Sequence, residues 1–307
     1  MSKYVNIAAP LFENGPSYGR EDATALVLRE LREKMNRLSG TGLNLLVLSE
    51  GVESIGMKME DAESPDKPGA FLNLYMDFAR REKCHVAGSL KLKKRDRIYN
   101  SAVFIDDKGD FAGSYSKTFL TIGEIEQGLT PGNGAEIFDT KLGRLGGAIC
   151  FDLNFAELRN QYISLKPDIL VFPSMYHGGL MQQTWAYECR SFFVSALQFP
   201  GGGILDPFGQ ALALTDCYNG IARAKINLDR IMVHLDFNSG KFPEIQRKYG
   251  EEVRIDVPAN IGPALIYSES DKRTATDIAE EFKLELLEDY LERSSSANSE
   301  RRNEKDK

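Results

Sequence analysis

Gly143-Arg144-Leu145-Gly146-Gly147-Ala148-Ile149-Cys150-Phe151-Asp152-Leu153-Asn154-Phe155 is the stretch on which the reading of this chain turns. Leu145 to Ile149 reads as a short buried strand that stops at a cysteine, followed by a polar turn and a helix beginning near Phe155. A thiol after a strand and before a helix N-terminus lies where backbone N–H groups and the helix dipole favour an anion. Such a place suits a thiolate and the oxyanion formed when it attacks a carbonyl. Free cysteine is also among the most buried residue types, so on this segment alone a packing residue and a nucleophile remain equal alternatives.

Upstream, Tyr4 to Phe12 is apolar and β-like, and Arg20 to Leu38 has helical spacing through Leu28, Leu31, Met35 and Leu38, stopping at Gly40. Leu43 to Leu48 is a near-continuous apolar run, the pattern of a strand covered on both faces, and it ends at Ser49-Glu50-Gly51. Pro68 to Arg81 reads as a second helix. His85–Leu90 and Ile98–Ile105 read as strands, and the turn Asp106-Asp107-Lys108-Gly109 leads to a return strand from Asp110 to Tyr115. Ser116 to Asn133 has no strong period and reads as a long loop, which in a compact domain points to function or disorder. Glu136 to Thr140 is a short edge strand.

Downstream of Cys150, a helix over Phe155–Leu165 precedes a buried strand, Asp168–Phe172, that Pro173 should break. Gln182–Phe192 reads as helix and Phe193–Gln198 as strand. Gly202–Leu205 and Ala211–Leu214 flank the turn signal Asp206-Pro207-Phe208-Gly209, and Ile221–Ile226 is the last clear strand. Residues 238–275 give no clear pattern. Asp277–Leu291 reads as one helix, capped by Asp277 with Glu280 at N3, and with Ile278, Phe282, Leu286 and Tyr290 on one face. Ser294–Lys307 is polar and reads as disordered. Buried strands alternating with helices, together with hairpins, indicate an α/β protein with mixed sheets and helices outside them.

Composition narrows the function classes. The 307 residues carry a net charge of −7, against a nucleic-acid or anionic-membrane partner. No run approaches the roughly 20 apolar residues of a membrane span, and Met1-Ser2-Lys3-Tyr4 lacks a signal pattern, so the expectation is a cytoplasmic protein. Cys84, Cys150, Cys189 and Cys217 are far apart and read as reduced thiols, and His85, His177 and His234 offer no metal-ligand spacing.

Three apolar strand ends present reactive groups: Glu50, Lys117 and Cys150. Ligand sites of open α/β sheets gather beyond strand carboxyl ends. Brought together there, a carboxylate would take the thiol proton, and an ammonium would stabilise first the thiolate and then an oxyanion. Taken singly, Glu50 and Lys117 are more simply solvated loop residues, and their joint placement is what favours acyl transfer.

Leu46-Val47-Leu48-Ser49-Glu50, Tyr115-Ser116-Lys117-Thr118-Phe119-Leu120 with Pro131-Gly132, and Gly147-Ala148-Ile149-Cys150-Phe151-Asp152 with Phe155 resemble, in order and spacing, the motifs of the nitrilase superfamily of carbon–nitrogen hydrolases. Tyr99-Asn100-Ser101 and Asp206-Pro207-Phe208-Gly209 support the resemblance, which covers residues 4 to 230. It implies a four-layer α-β-β-α sandwich with two mixed β-sheets. It also implies Glu50 as general base, Cys150 as nucleophile, and Lys117 with the Phe151 backbone N–H as oxyanion holders. Of the second glutamate common in the family, Glu126 fits best, with Glu124 as rival. The implied reaction is hydrolysis of a small amide or N-carbamoyl compound through a cysteine thioester, with no metal or organic cofactor. The implied partners are a small-molecule amide and a second copy of the chain, as a homodimer or higher homo-oligomer.

The sequence departs from the family at Ser49, where proline is usual, and along Trp185–Phe192, which lacks the usual Arg-Ala…Glu-Asn pattern. Cys150-Phe151-Asp152 is similar to the amidase and carbamoylase branches; nitrilases proper commonly end this motif in Trp-Glu. Tyr176, His177 and Trp185, with Met181 and Gln182, are pocket candidates because they follow the strand ending at Pro173, though ordinary packing explains each equally well. The expected organisation is a hydrolase domain over 1–275, an amphipathic helix over 276–293 available for oligomer contact, and a disordered tail over 294–307. The rival readings are a non-catalytic binding member of the same fold and a nitrile hydrolase.

Overall fold

The computed structural model describes residues 3–13, 22–55 and 58–305. The chain divides into two compact units, one over Val5–Ile226 and another comprising Met1–Tyr4 and Asn227–Lys307. The helix start expected at Arg20 and the last two residues of the expected tail lie outside the described residues.

In the larger unit, apolar runs become strands and amphipathic segments become covering helices. The strands are β1 (Tyr4–Pro10), β2 (Leu45–Val47), β3 (His85–Lys94), β4 (Arg97–Ile105), β5 (Phe111–Ser116), β6 (Ile137–Thr140), β7 (Gly143–Gly147), β8 (Ile169–Ser174), β9 (Phe192–Leu197), β10 (Gly203–Leu205), β11 (Ala211–Leu214) and β12 (Ile221–Asn227). They form two six-stranded sheets in the orders β12-β1-β2-β3-β4-β5 and β11-β10-β9-β8-β7-β6. In the first sheet β1, β2 and β3 run parallel while β3-β4 and β4-β5 are antiparallel. In the second, β7, β8 and β9 run parallel between antiparallel flanks.

Helices α1 (Ala23–Asn36) and α2 (Ala70–Glu82) cover the first sheet. Val27, Leu31 and Met35 from α1 and Phe71, Tyr75 and Phe78 from α2 share a core with Leu46, Leu48 and Val86. After α3 (Ile122–Glu126), helices α4 (Ala156–Leu165) and α5 (Leu180–Glu188) serve the second sheet. The Tyr162 hydroxyl donates to Gly147 O (2.5 Å) and accepts from Gly147 N–H (3.1 Å), latching α4 onto β7. A Cβ at Gly146 would stand 2.7 Å from the Tyr162 ring, so the latch requires glycine there. Between the sheets, Phe104 stacks on Phe138 at 4.2 Å, and Gly147 faces Ala102, Phe104 and Tyr115. This is the expected α-β-β-α sandwich with two mixed sheets.

Several local expectations change. Strand β8 runs through Pro173, which pairs with Ala196 of β9. The ladder to β7 ends opposite Val171, so no partner on that side misses the proline N–H. The long loop over 116–133 contains α3. Strand β7 stops at Gly147, and Cys150–Asn154 is a turn of 3-10 helix rather than an open turn.

The smaller unit accounts for the stretch that sequence left unread. Strands β13 (Arg230–His234), β14 (Val253–Asp256) and β15 (Pro263–Ser268) form an antiparallel sheet in the order β13-β15-β14, accompanied by α6 (Phe242–Tyr249). Val233, Ile245, Val253, Ile266 and Ile278 are its core. The single helix expected over Asp277–Leu291 is two, α7 (Ala275–Glu281) and α8 (Leu287–Lys305). Thr274 caps α7 and Asp277 occupies N3, and the chain breaks helical geometry at Lys283 (φ 49°). The segment expected to be disordered continues α8 to Lys305.

Candidate active site

Each catalytic candidate sits just past a strand end, as its sequence predicts. Glu50 follows β2, Lys117 follows β5 at the mouth of the 116–133 segment, and Cys150 lies three residues beyond β7. Glu50 and Lys117 are buried, and Cys150 is partly exposed.

The three side chains converge. Lys117 Nζ lies 3.2 Å from Glu50 Oε1, and the Glu50 carboxylate lies close enough to the Cys150 thiol to raise it. Met175 N–H donates to Glu50 Oε2 (2.9 Å), and Gln198 Nε2 donates to the Glu50 carbonyl (2.6 Å), so the second sheet holds the carboxylate that the first supplies. Cys150 has φ 48°, a left-handed conformation uncommon for a side chain larger than glycine. It opens the turn of 3-10 helix, whose Phe151 N–H has no acceptor among the described residues and is available to an incoming oxygen.

Glu124, not Glu126, is the second glutamate of the cluster. Both Glu124 oxygens lie 2.9 Å from Lys117 Nζ, whereas Glu126 is exposed at the end of α3. The reason is local: Thr121 caps α3 and accepts from Glu124 N–H, while Glu124 Oε2 accepts from Thr121 N–H at 2.8 Å. That reciprocal cap aims Glu124 inward and Glu126, two residues on, away from it. Asn100, for which sequence supplied a motif but no role, donates to Glu50 Oε1 (2.8 Å) and Glu124 Oε1 (2.9 Å), and Ser89 Oγ donates to its carbonyl (3.0 Å). It spaces two carboxylates around one ammonium.

The electrostatics follow from burial and charge. Burial opposes the Lys117 ammonium, but Glu50, Cys150 and Glu124 outweigh it and hold the lysine above its ordinary range. Burial would likewise raise Glu124, yet Lys117 and Asn100 hold it below the usual carboxylate range. Burial, reinforced by the Glu50 carboxylate, pushes the Cys150 thiol up to about 12. Cys150 therefore rests as a thiol, and its proton must leave as it attacks, towards the neighbouring Glu50 carboxylate.

The site opens on a cavity of about 520 Å³ whose walls include Glu50, Asn100, Lys117, Glu124, Cys150 and Met175, together with Glu53, Lys58 and Lys91. Of the expected pocket residues, Tyr176, His177 and Trp185 line none of it. Trp185 is fully buried, with its Nε1 donating to Leu153 O (3.0 Å), and is a core residue. His177 is exposed and its Nδ1 accepts from Gly179 N–H, and Tyr176 turns its hydroxyl to Asn154. Met175, one residue before the expected set, is the wall residue from that loop. Among the described residues, no group of three His, Cys, Asp or Glu side chains is arranged to hold a metal ion.

Comparison with known proteins agrees with this geometry. The model of a family described as carbon–nitrogen hydrolase matches residues 16–231, more than half of the chain. A deaminated glutathione amidase of Dictyostelium discoideum is 27% identical over 245 residues, covering 66% of this chain and 83% of that protein. Among solved structures, Nit3 of Saccharomyces cerevisiae, a member of branch 10 of the nitrilase superfamily, superposes with a TM-score of 0.64 at 17% identity, covering 81% of this chain and 95% of its own. An amidase from Nesterenkonia sp. superposes with a TM-score of 0.62 at 17% identity, covering 80% and 96%.

Proposed function

The chain belongs to the carbon–nitrogen hydrolase family, and from that premise we propose that it is a thiol amidohydrolase that cleaves a small amide or N-carbamoyl compound. The observation that carries the reading is the convergence of the Cys150 thiol and Lys117 Nζ on one Glu50 carboxylate at the wall of a 520 Å³ cavity. The amidase name of the Dictyostelium relative supports an amide over a nitrile.

On this reading each group has a defined task. Glu50 takes the Cys150 proton as sulfur bonds to the substrate carbonyl carbon. The oxyanion that forms meets the Lys117 ammonium and the Phe151 N–H, both fixed beforehand. As the C–N bond breaks, Glu50 returns the proton to nitrogen, and ammonia or an amine leaves with a thioester on Cys150. Water then gives a proton to Glu50 and attacks the thioester carbonyl; the C–S bond breaks, the acid departs and the thiol is restored. Glu124 keeps Lys117 charged and aimed, and Asn100 keeps the two carboxylates apart.

The same reading has the enzyme working in the cytoplasm as a homodimer or larger homo-oligomer. The four free cysteines fit a reducing compartment. Ammonia release from a panel of small amides, carbamoyl compounds and nitriles tests the chemistry. Wild type should turn over amides or carbamoyl compounds while Cys150→Ala does not, and full turnover by the alanine variant would remove the proposal. Light scattering of the purified chain tests the assembly.

A further inference from the structure

Asp152 stands two residues beyond the nucleophile, is fully buried, and is bonded to both catalytic segments. Its Oδ2 accepts from Ile149 N–H (2.9 Å), in the turn that carries Cys150. Its Oδ1 accepts from Phe119 N–H (2.8 Å), two residues beyond Lys117. Oδ2 also accepts from the Tyr115 hydroxyl (2.8 Å), two residues before Lys117, and that hydroxyl accepts from Thr118 N–H (3.1 Å). A second contact follows the same line: the Phe119 and Phe155 rings stack at 3.8 Å, nearly parallel.

We propose that Asp152 is a positioning residue that sets the distance between the Cys150 sulfur and the Lys117 ammonium by clamping the lysine segment to the nucleophile turn. Among the described side chains of the short span 149–155, Asp152 is the one bonded to both flanks of Lys117, at the Tyr115 hydroxyl and the Phe119 N–H, while it also holds the Ile149 N–H beside Cys150. Cys150 is held at positive φ, so its turn needs an outside restraint, and the carboxylate supplies it through the N–H of the preceding residue. An ionised carboxylate holds the three donors through charge-assisted bonds, which a proton on either oxygen weakens.

The charge state gives the clamp a signature. Burial pushes the Asp152 carboxyl up to about 7, against the lowering effect of Phe119 N–H, Ile149 N–H, the Tyr115 hydroxyl and the Lys117 charge. The other titratable groups turned toward it are Tyr115 and Tyr162, both raised by burial and neutral throughout this range. Cys150 titrates near 12, so its thiolate fraction rises about tenfold per pH unit through neutrality, and a second group shows as an inflection on that slope. Reactivity should fall more steeply than the thiolate fraction as pH drops through about 7, when the carboxylate gains a proton and its hold on the three donors weakens.

The test is the rate of Cys150 alkylation by iodoacetamide, followed by mass spectrometry of the intact protein against pH. This inference rests on the proposed chemistry for its meaning, but alkylation needs no turnover, so the two fail separately. A wild type that hydrolyses no amide defeats the proposed function, while the alkylation curves still judge the clamp. Asp152→Asn should alkylate about tenfold more slowly and lose the inflection near pH 7. Tyr115→Phe keeps the carboxylate but removes one donor that lowers it, so its inflection should move to higher pH. On an amide that the wild type hydrolyses, both variants should lose kcat with KM little changed. A folded Asp152→Asn with the wild-type alkylation curve overturns the clamp. Should that variant fail to fold, Tyr115→Phe decides alone, and an unmoved inflection in it overturns the proposal.

Discussion

Replacing Glu124 with glutamine tests how the lysine is held. Two Glu124 oxygens stand 2.9 Å from Lys117 Nζ, and the carboxylate is only 15% exposed. At an effective dielectric of about 20 that contact is a gross attraction of about 6 kcal/mol. Glutamine keeps one acceptor oxygen and avoids the cost of burying a charge, so roughly half is recovered and the net loss is about 3 kcal/mol. Lys117 then leans on Glu50 alone and engages the carboxylate that must receive the thiol proton. If the loss falls on the transition state, kcat drops about a hundredfold. The assay is steady-state ammonia release, with Glu126→Gln as control. The exposed Glu126 has no contact with the lysine, and its variant should keep kcat within about twofold. Equal damage from both substitutions, or a Glu124→Gln enzyme within about threefold of wild type, would refute the reasoning.

Trp185→Ala should cost about 3 to 5 kcal/mol in urea denaturation, because it empties a fully buried site and leaves Leu153 O unpaired; the folded fraction should keep its KM, since Trp185 touches no part of the cavity. Asn100→Ala removes the donor shared by Glu50 and Glu124 and should lower kcat about tenfold or more, measured beside Ser89→Ala, which keeps both of those bonds and should do less. Asp152 is raised in the fold from 3.8 to about 7, so its contribution to stability is fully present below the unfolded value and is lost as pH rises through about 7. Urea midpoints at about pH 5 and pH 8 should fall in that order for wild type, and the Asp152-dependent part of the fall should vanish in Asp152→Asn. Deleting residues 295–307 should leave the urea midpoint unchanged, because the side chains described over 295–303 are exposed almost throughout.

The strands were legible because burial on both faces writes itself as unbroken apolar runs, as in Leu43–Leu48 and Ile169–Phe172, and the reactive groups were legible because they interrupt those runs at their ends. The choice between Glu124 and Glu126 was also written there. Thr121-Ile122-Gly123-Glu124 is a capping-box pattern, set inside the 116–133 segment that otherwise lacks a period. Asn100 was less visible, since its role depends on lying across β4 from two other segments, and no local pattern encodes that contact. The same limit hid the smaller sheet. Strand β14 is four residues long and partly exposed, so its pairing with β15, rather than its own alternation, defines it. In the last helices the single face expected from Ile278 to Tyr290 is broken, because Lys283 in a left-handed conformation ends helical geometry between α7 and α8.

The acid and the amine come from one sheet and the sulfur from the other, so neither layer alone holds a working centre. During refolding, hydrolysis should therefore recover later than the circular dichroism of either sheet. An enzymatic signal is then a direct clock for the moment the two halves of the sandwich meet.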